Sequence, residues 1–147
     1  MISKGFVFII SMVVVLAVVA IGGFVINDMS ERAIHAESIS FEKHLKEEYS
    51  QVGFASTLEI DLMVPSPVDK VCLADRDEAG LRDIQHDLLE KYVQEGSNVF
   101  LLKKREIIHH FRLENMKTIQ AVKCFETDLG RFKVLAKGAP NGKVWLE

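Results

Sequence analysis

Two cysteines, Cys72 and Cys124, and the adjacent pair His109-His110 are the residues of this 147-residue chain best placed to do chemistry. Both cysteines lie in apolar, strand-like stretches. Neither has further ligands at finger-like spacing, so a zinc site would be short of donors. If the two thiols meet in an oxidising compartment they close a loop of about 50 residues, worth roughly 3–4 kcal/mol in the chain-entropy model. The other outcome is two separate buried thiols acting as small hydrophobes; the bridge is the expectation. Neighbouring side chains of a strand point to opposite faces, so His109 and His110 do not chelate one ion together. His35 and His44 are nine apart on a helical stretch and fall near opposite sides. Asp75, Asp77 and Glu78 offer oxygen ligands at close spacing, without the longer loop pattern and distal Glu of an EF-hand. Capping of the helix that follows accounts for them. The sequence contains no Gly-x-Ser-x-Gly elbow and no glycine-rich phosphate loop. The expectation is a chain without catalytic, cofactor or metal residues, and not an enzyme.

Surface chemistry narrows the partners. The formal charge is −3, which argues against nucleic acid, because phosphate binding needs a basic patch. The one dense basic run, Lys103-Lys104-Arg105, falls between two predicted strands and reads as a solvated hairpin turn. Trp145, the single tryptophan, faces away from Val144 and Leu146 by alternation. It is either a contact for a protein partner or a cover for the long helix.

The elements that would position these residues begin with a run from Phe6 to Ile26, 21 residues without a charge. As a helix it is about 31 Å long, against roughly 30 Å for the hydrocarbon core of a bilayer. Its one polar side chain, Ser11, can bond back to a carbonyl of its own helix. A cleaved secretory signal has a shorter apolar region and a small-x-small site, and Val18-Val19-Ala20 is a poor substitute for one. The run therefore reads as a retained anchor. Lys4 and the terminal amine precede it, and Asp28, Glu31 and Arg32 follow, which keeps the N-terminus in the cytoplasm and places the rest outside.

Beyond the run, Ile34, Ser38, Phe41, Leu45, Tyr49 and Val52 recur at spacings of three and four. They make one apolar stripe on a helix continuing from the anchor, which Gly22-Gly23 could bend. Leu58, Ile60, Leu62 and Val64 then alternate with polar residues as a half-buried strand, ended by Pro65-Ser66-Pro67. Val68–Ala74 is a second strand. Leu81, Ile84, Leu88 and Tyr92 give a helix stopped by Gly96 as a left-handed cap. Strands are predicted at Asn98–Leu102, Glu106–Leu113, Thr118–Phe125, Arg131–Ala136 and Lys143–Leu146. Gly130 and Gly138 are read as turn residues, and Pro140-Asn141-Gly142 as a hairpin signal.

The leader Met1-Ile2-Ser3-Lys4-Gly5-Phe6, short, basic and ending in Gly before Phe and the apolar run, resembles the class III leader of type IV pilins and their archaeal relatives. The resemblance implies a prepilin-peptidase cut between Gly5 and Phe6. The fifth position after that cut is Ile10. Bacterial major pilins carry Glu there, whereas archaeal and some minor pilin-like subunits do not. A long helix whose second half packs on an antiparallel sheet is also the layout that the resemblance implies.

The resulting expectation is an α+β chain: a long N-terminal helix, transmembrane and then extracytoplasmic, packed on an antiparallel sheet with one additional crossover helix. Its parts are a leader at 1–5, a transmembrane helix at 6–26, an amphipathic continuation at 27–52 and an extracytoplasmic domain at 53–147. Its partners are membrane lipid and either a protein partner or copies of itself, assembled through the N-terminal helix. A pilin-like subunit of an envelope or filament assembly is the first functional reading. A signal-anchored receptor, adaptor or chaperone is the second. An anchored hydrolase is the third, and it needs a pocket the sequence does not specify.

Overall fold

Helix α1 spans Lys4–Ser50 without a break. Its sequence contains no proline to remove a hydrogen bond, and Gly22-Gly23 is its one glycine pair. A computed structural model describes residues 4–75 and 87–147 and divides the chain into two units, Met1–His35 and Ala36–Glu147. In the first unit, Phe6, Phe8, Leu16, Phe24 and Ile26 are all more than half exposed, and Ser11 Oγ donates to the Phe8 carbonyl at 2.8 Å, as its place in an apolar helix requires.

The second unit is α+β. Among the described residues eight strands follow α1: β1 (Thr57–Met63), β2 (Lys70–Ala74), β3 (Val99–Lys103), β4 (Glu106–Phe111), β5 (Met116–Thr118), β6 (Val122–Glu126), β7 (Arg131–Gly138) and β8 (Val144–Leu146), with helix α2 (Asp87–Gln94) before β3. The strands divide between two sheets, ordered β1-β7-β8-β5 and β4-β3-β2-β6. All pairings are antiparallel except β5 with β8.

The core lies between the inner faces of the two sheets and is closed by α1. Ser38, Phe41 and Leu45, the predicted stripe, are buried at 0–3% exposure. The Phe41 ring sits edge-on to Phe111 of β4 at 6.5 Å and to Phe132 of β7 at 6.0 Å, so one side chain of α1 joins both sheets. Strands β2 and β3 are buried on both faces. Val71, Leu73, Val99 and Leu101 enter this core, while Cys72, Ala74, Phe100 and Leu102 pack beneath Leu89 and Val93 of α2. Burial on both faces is why these strands read as continuous apolar runs and not as alternating ones. Helix α2 ends as expected: Gly96 takes φ +104°, with Ser97 N bonded to Tyr92 O and Gly96 N to Val93 O in the Schellman pattern. The Leu81 and Ile84 part of that predicted helix lies outside the described residues.

Two sequence expectations are revised. The strand predicted at Thr118–Phe125 is two strands, because residues 119–121 bend to carry the chain from one sheet to the other. The Thr118 hydroxyl donates to the Gln120 carbonyl inside that bend, and inward-facing parity changes from Met116 and Thr118 to Phe125. Gly138 is no turn residue but the end of β7. A Cβ there would lie 1.8 Å from the Gly53 carbonyl oxygen, so the close approach of the α1–β1 connection requires glycine.

Candidate interaction surfaces and bridging residues

Cys72 and Cys124 form a disulfide, with S–S 1.97 Å across directly paired positions of β2 and β6. Cys72 is buried under α2 while Cys124 is exposed. The bridge therefore ties edge strand β6 to the doubly buried β2 across a separation of 52 residues.

The histidine pair separates as strand geometry dictates. His109 Nε2 lies 2.8 Å from Glu42 Oε2 of α1, and its ring lies 5.8 Å from that of Phe111. His110, on the other face, meets Ser97 Oγ at 2.9 Å and packs on Tyr92 of α2 at 4.3 Å. One residue type at adjacent positions thus fastens a different helix on each side of β4. Burial pushes the Glu42 carboxyl up, but hydrogen bonds and charge from Lys46 and His109 outweigh it and hold the group below 4.5. Further along α1, Tyr49 Oη donates to the Glu114 carbonyl at 2.9 Å. Burial, and then the Glu114 carboxylate, raise the phenol above its ordinary value.

Asp75 is buried and accepts from Lys117 Nζ at 3.0 Å. Asp77 and Glu78, its proposed capping companions, lie outside the described residues. His44 Nδ1 lies 3.6 Å from Glu47 on the same helix. Lys103, Lys104 and Arg105 form the exposed β3–β4 turn, with Lys104 N donating to Asp69 Oδ2 at 2.7 Å.

Trp145 stands on the outer face of the first sheet, opposite Lys137 of β7 and Lys117 of β5. It is 36% exposed, and its neighbours Val144 and Leu146 point into the core with α1. Trp145 therefore lies on the face away from α1. Gly5 and Phe6 lie in the first turn of α1, with Phe6 56% exposed. A groove of about 620 Å³ runs between α1 and the end of β1, lined by Glu37, Phe41, His44, Met63 and Pro65 among others.

Sequence reasoning did not find the Glu42–His109 link or Asn98, whose side chain bonds both the N–H and the carbonyl of Leu113 and so extends the β3–β4 pairing. Both depend on contacts between distant positions, and no local spacing signals them. Comparison with protein-family models, curated proteins and solved structures finds no match.

Proposed function

We propose that the chain is a non-enzymatic, single-pass membrane protein with an extracytoplasmic α+β domain, a pilin-like subunit of an envelope or filament assembly. The observation that carries this reading is α1. One uninterrupted helix supplies an apolar surface from Phe6 to Ile26 that is exposed among the described residues, and then the core residues Phe41 and Leu45 of the second unit. An apolar helix of this length is satisfied by lipid, and by neighbouring copies of the same helix once subunits assemble. The disulfide supports an oxidising location for the domain. The residues that could do chemistry serve structural pairings instead: His109 with Glu42, His110 with Ser97 and Tyr92, and Asp75 with Lys117.

The second reading, a permanently tethered adaptor, is favoured by Trp145, an indole partly exposed on a sheet face turned away from α1. Mass spectrometry of the mature N-terminus, with and without a co-expressed prepilin peptidase, separates the two. A chain beginning at Phe6 is the expected result for a pilin-like subunit. A chain that still carries its leader in the presence of the peptidase leaves the tethered adaptor.

A further inference from the structure

The end of the second unit at which the chain enters carries an unusual combination of side chains. The connection from β6 in one sheet to β7 in the other turns tightly through Leu129 and Gly130, closed by an isolated bridge between the Asp128 and Arg131 backbones, with φ +50° and +74°. Two consecutive left-handed residues make the primed hairpin turn, whose first central position favours Asn, Asp or Gly. A leucine there is strained, and this one is 93% exposed, so no contact among the described residues accounts for it. Beside it, Met63 is 78% exposed at the end of β1, paired with Arg131, while Val64 N bonds the Gly130 carbonyl at 2.8 Å. The basic turn Lys103-Lys104-Arg105 belongs to the same end. Asp69 binds it through Lys104 N, and the Asp69 carbonyl accepts from Thr127 N, two residues before Leu129. None of the three basic side chains has an ion pair among the described residues. Asp69, whose carboxylate accepts from Lys104 N, and Glu106, paired with Lys103, are the acidic groups beside them; Asp128 adjoins Leu129, and Asp61 is shared by Arg131 and Lys133.

Contacts along α1 identify this end. Glu42 meets His109, Lys46 lies over Phe111, and Tyr49 meets Glu114, so β4 and α1 advance together. The start of β4, and with it the basic turn, therefore lies toward the first residues of the unit. Glu37 also lines the groove shared with Met63. Glu37 follows Ile26 by eleven residues of α1, about 16 Å of helix, against a headgroup layer about 5–8 Å thick beyond the hydrocarbon core. On the reading that Phe6 to Ile26 spans a membrane, this tether is short enough to let that end reach the bilayer surface.

We propose that Leu129 and Met63 dock into the interface of a bilayer containing anionic lipids, with Lys103, Lys104 and Arg105 against the headgroup phosphates. Apolar tips beside a solvated basic turn match the two layers of such a surface: acyl boundary for the leucine and methionine, negative charge for the lysines and arginine. Ile119 and Phe54 are also exposed but have no basic turn tied to them, and an exposed hydrophobic residue by itself needs no such explanation.

The test uses the full chain in Trp145→Phe background, reconstituted into phosphatidylcholine vesicles with and without phosphatidylglycerol, with brominated acyl chains as quencher. Tryptophan is placed at Leu129, at Met63 (an extended position free of turn strain) and at Phe54 near the opposite end of the unit. The expected result is quenching and a blue shift for Leu129→Trp and Met63→Trp, stronger with phosphatidylglycerol, and neither for Phe54→Trp. Replacing Lys103, Lys104 and Arg105 with Gln is expected to remove the phosphatidylglycerol enhancement. Vesicles that float with the protein while both tip tryptophans stay unquenched overturn the docking and leave the span intact. A blue shift without quenching assigns the tip to a second copy and also overturns it. A chain that does not float with vesicles overturns the span, and the docking with it.

Discussion

At the residue scale, backbone approach and ion pairing decide what each position tolerates. Gly138→Ala puts a methyl group 1.8 Å from a backbone oxygen, which no rotamer can relieve. Unfolding in denaturant is expected to show a loss of about 3 kcal/mol or more, the range of severe overpacking. Glu42 gives a pH signature. Its carboxyl is held below 4.5 in the folded chain, so its stabilisation is fully present above that value and is lost as the pH falls through the folded value. Glu42→Gln is therefore expected to lower stability by about 1 kcal/mol near neutrality. The difference from the natural chain should close in thermal melts as the pH drops below 4.5. A difference that stays constant across that range would assign the effect to packing and not to charge.

At the element scale, α1 and the disulfide each hold pieces that the strands alone would leave loose. Leu45 is fully buried between α1 and the sheets, and Leu45→Ala is expected to cost about 2–5 kcal/mol, read from the denaturant midpoint. The Cys72–Cys124 bridge pins edge strand β6, so reduction is expected to lower stability by roughly 3–4 kcal/mol. Thiol labelling under native conditions without reductant is expected to fail at both positions. The elements themselves were largely legible from sequence. The stripe of Ser38, Phe41, Leu45 and Tyr49, the alternation of β1 and the glycine cap of α2 are local patterns, each with a single physical cause. The break at residues 119–121 was not legible, because an alternating segment looks the same whether it stays in one sheet or crosses to another.

At the scale of the whole molecule, the two units differ in what satisfies them. The second unit holds the entire described core, from Phe41 to Leu146, so the fragment 36–147 is expected to melt cooperatively without the apolar segment. A broad, non-cooperative transition by circular dichroism would show that the core needs the N-terminal residues. The sequence by itself determined the apolar run, the α+β class and the presence of two cysteines able to pair, because hydropathy, periodicity and composition are properties of consecutive residues. Only the tertiary structure decided that the strands form two sheets, that His109 and His110 fasten different helices, and that Trp145 turns away from α1. It also brought Leu129, Met63 and the basic turn to one end. Each of these is a relation between residues well separated along the chain, from 13 positions for Ser97 and His110 to 67 for Glu42 and His109. Such relations follow from how buried faces close over one another, and no window along the chain contains them.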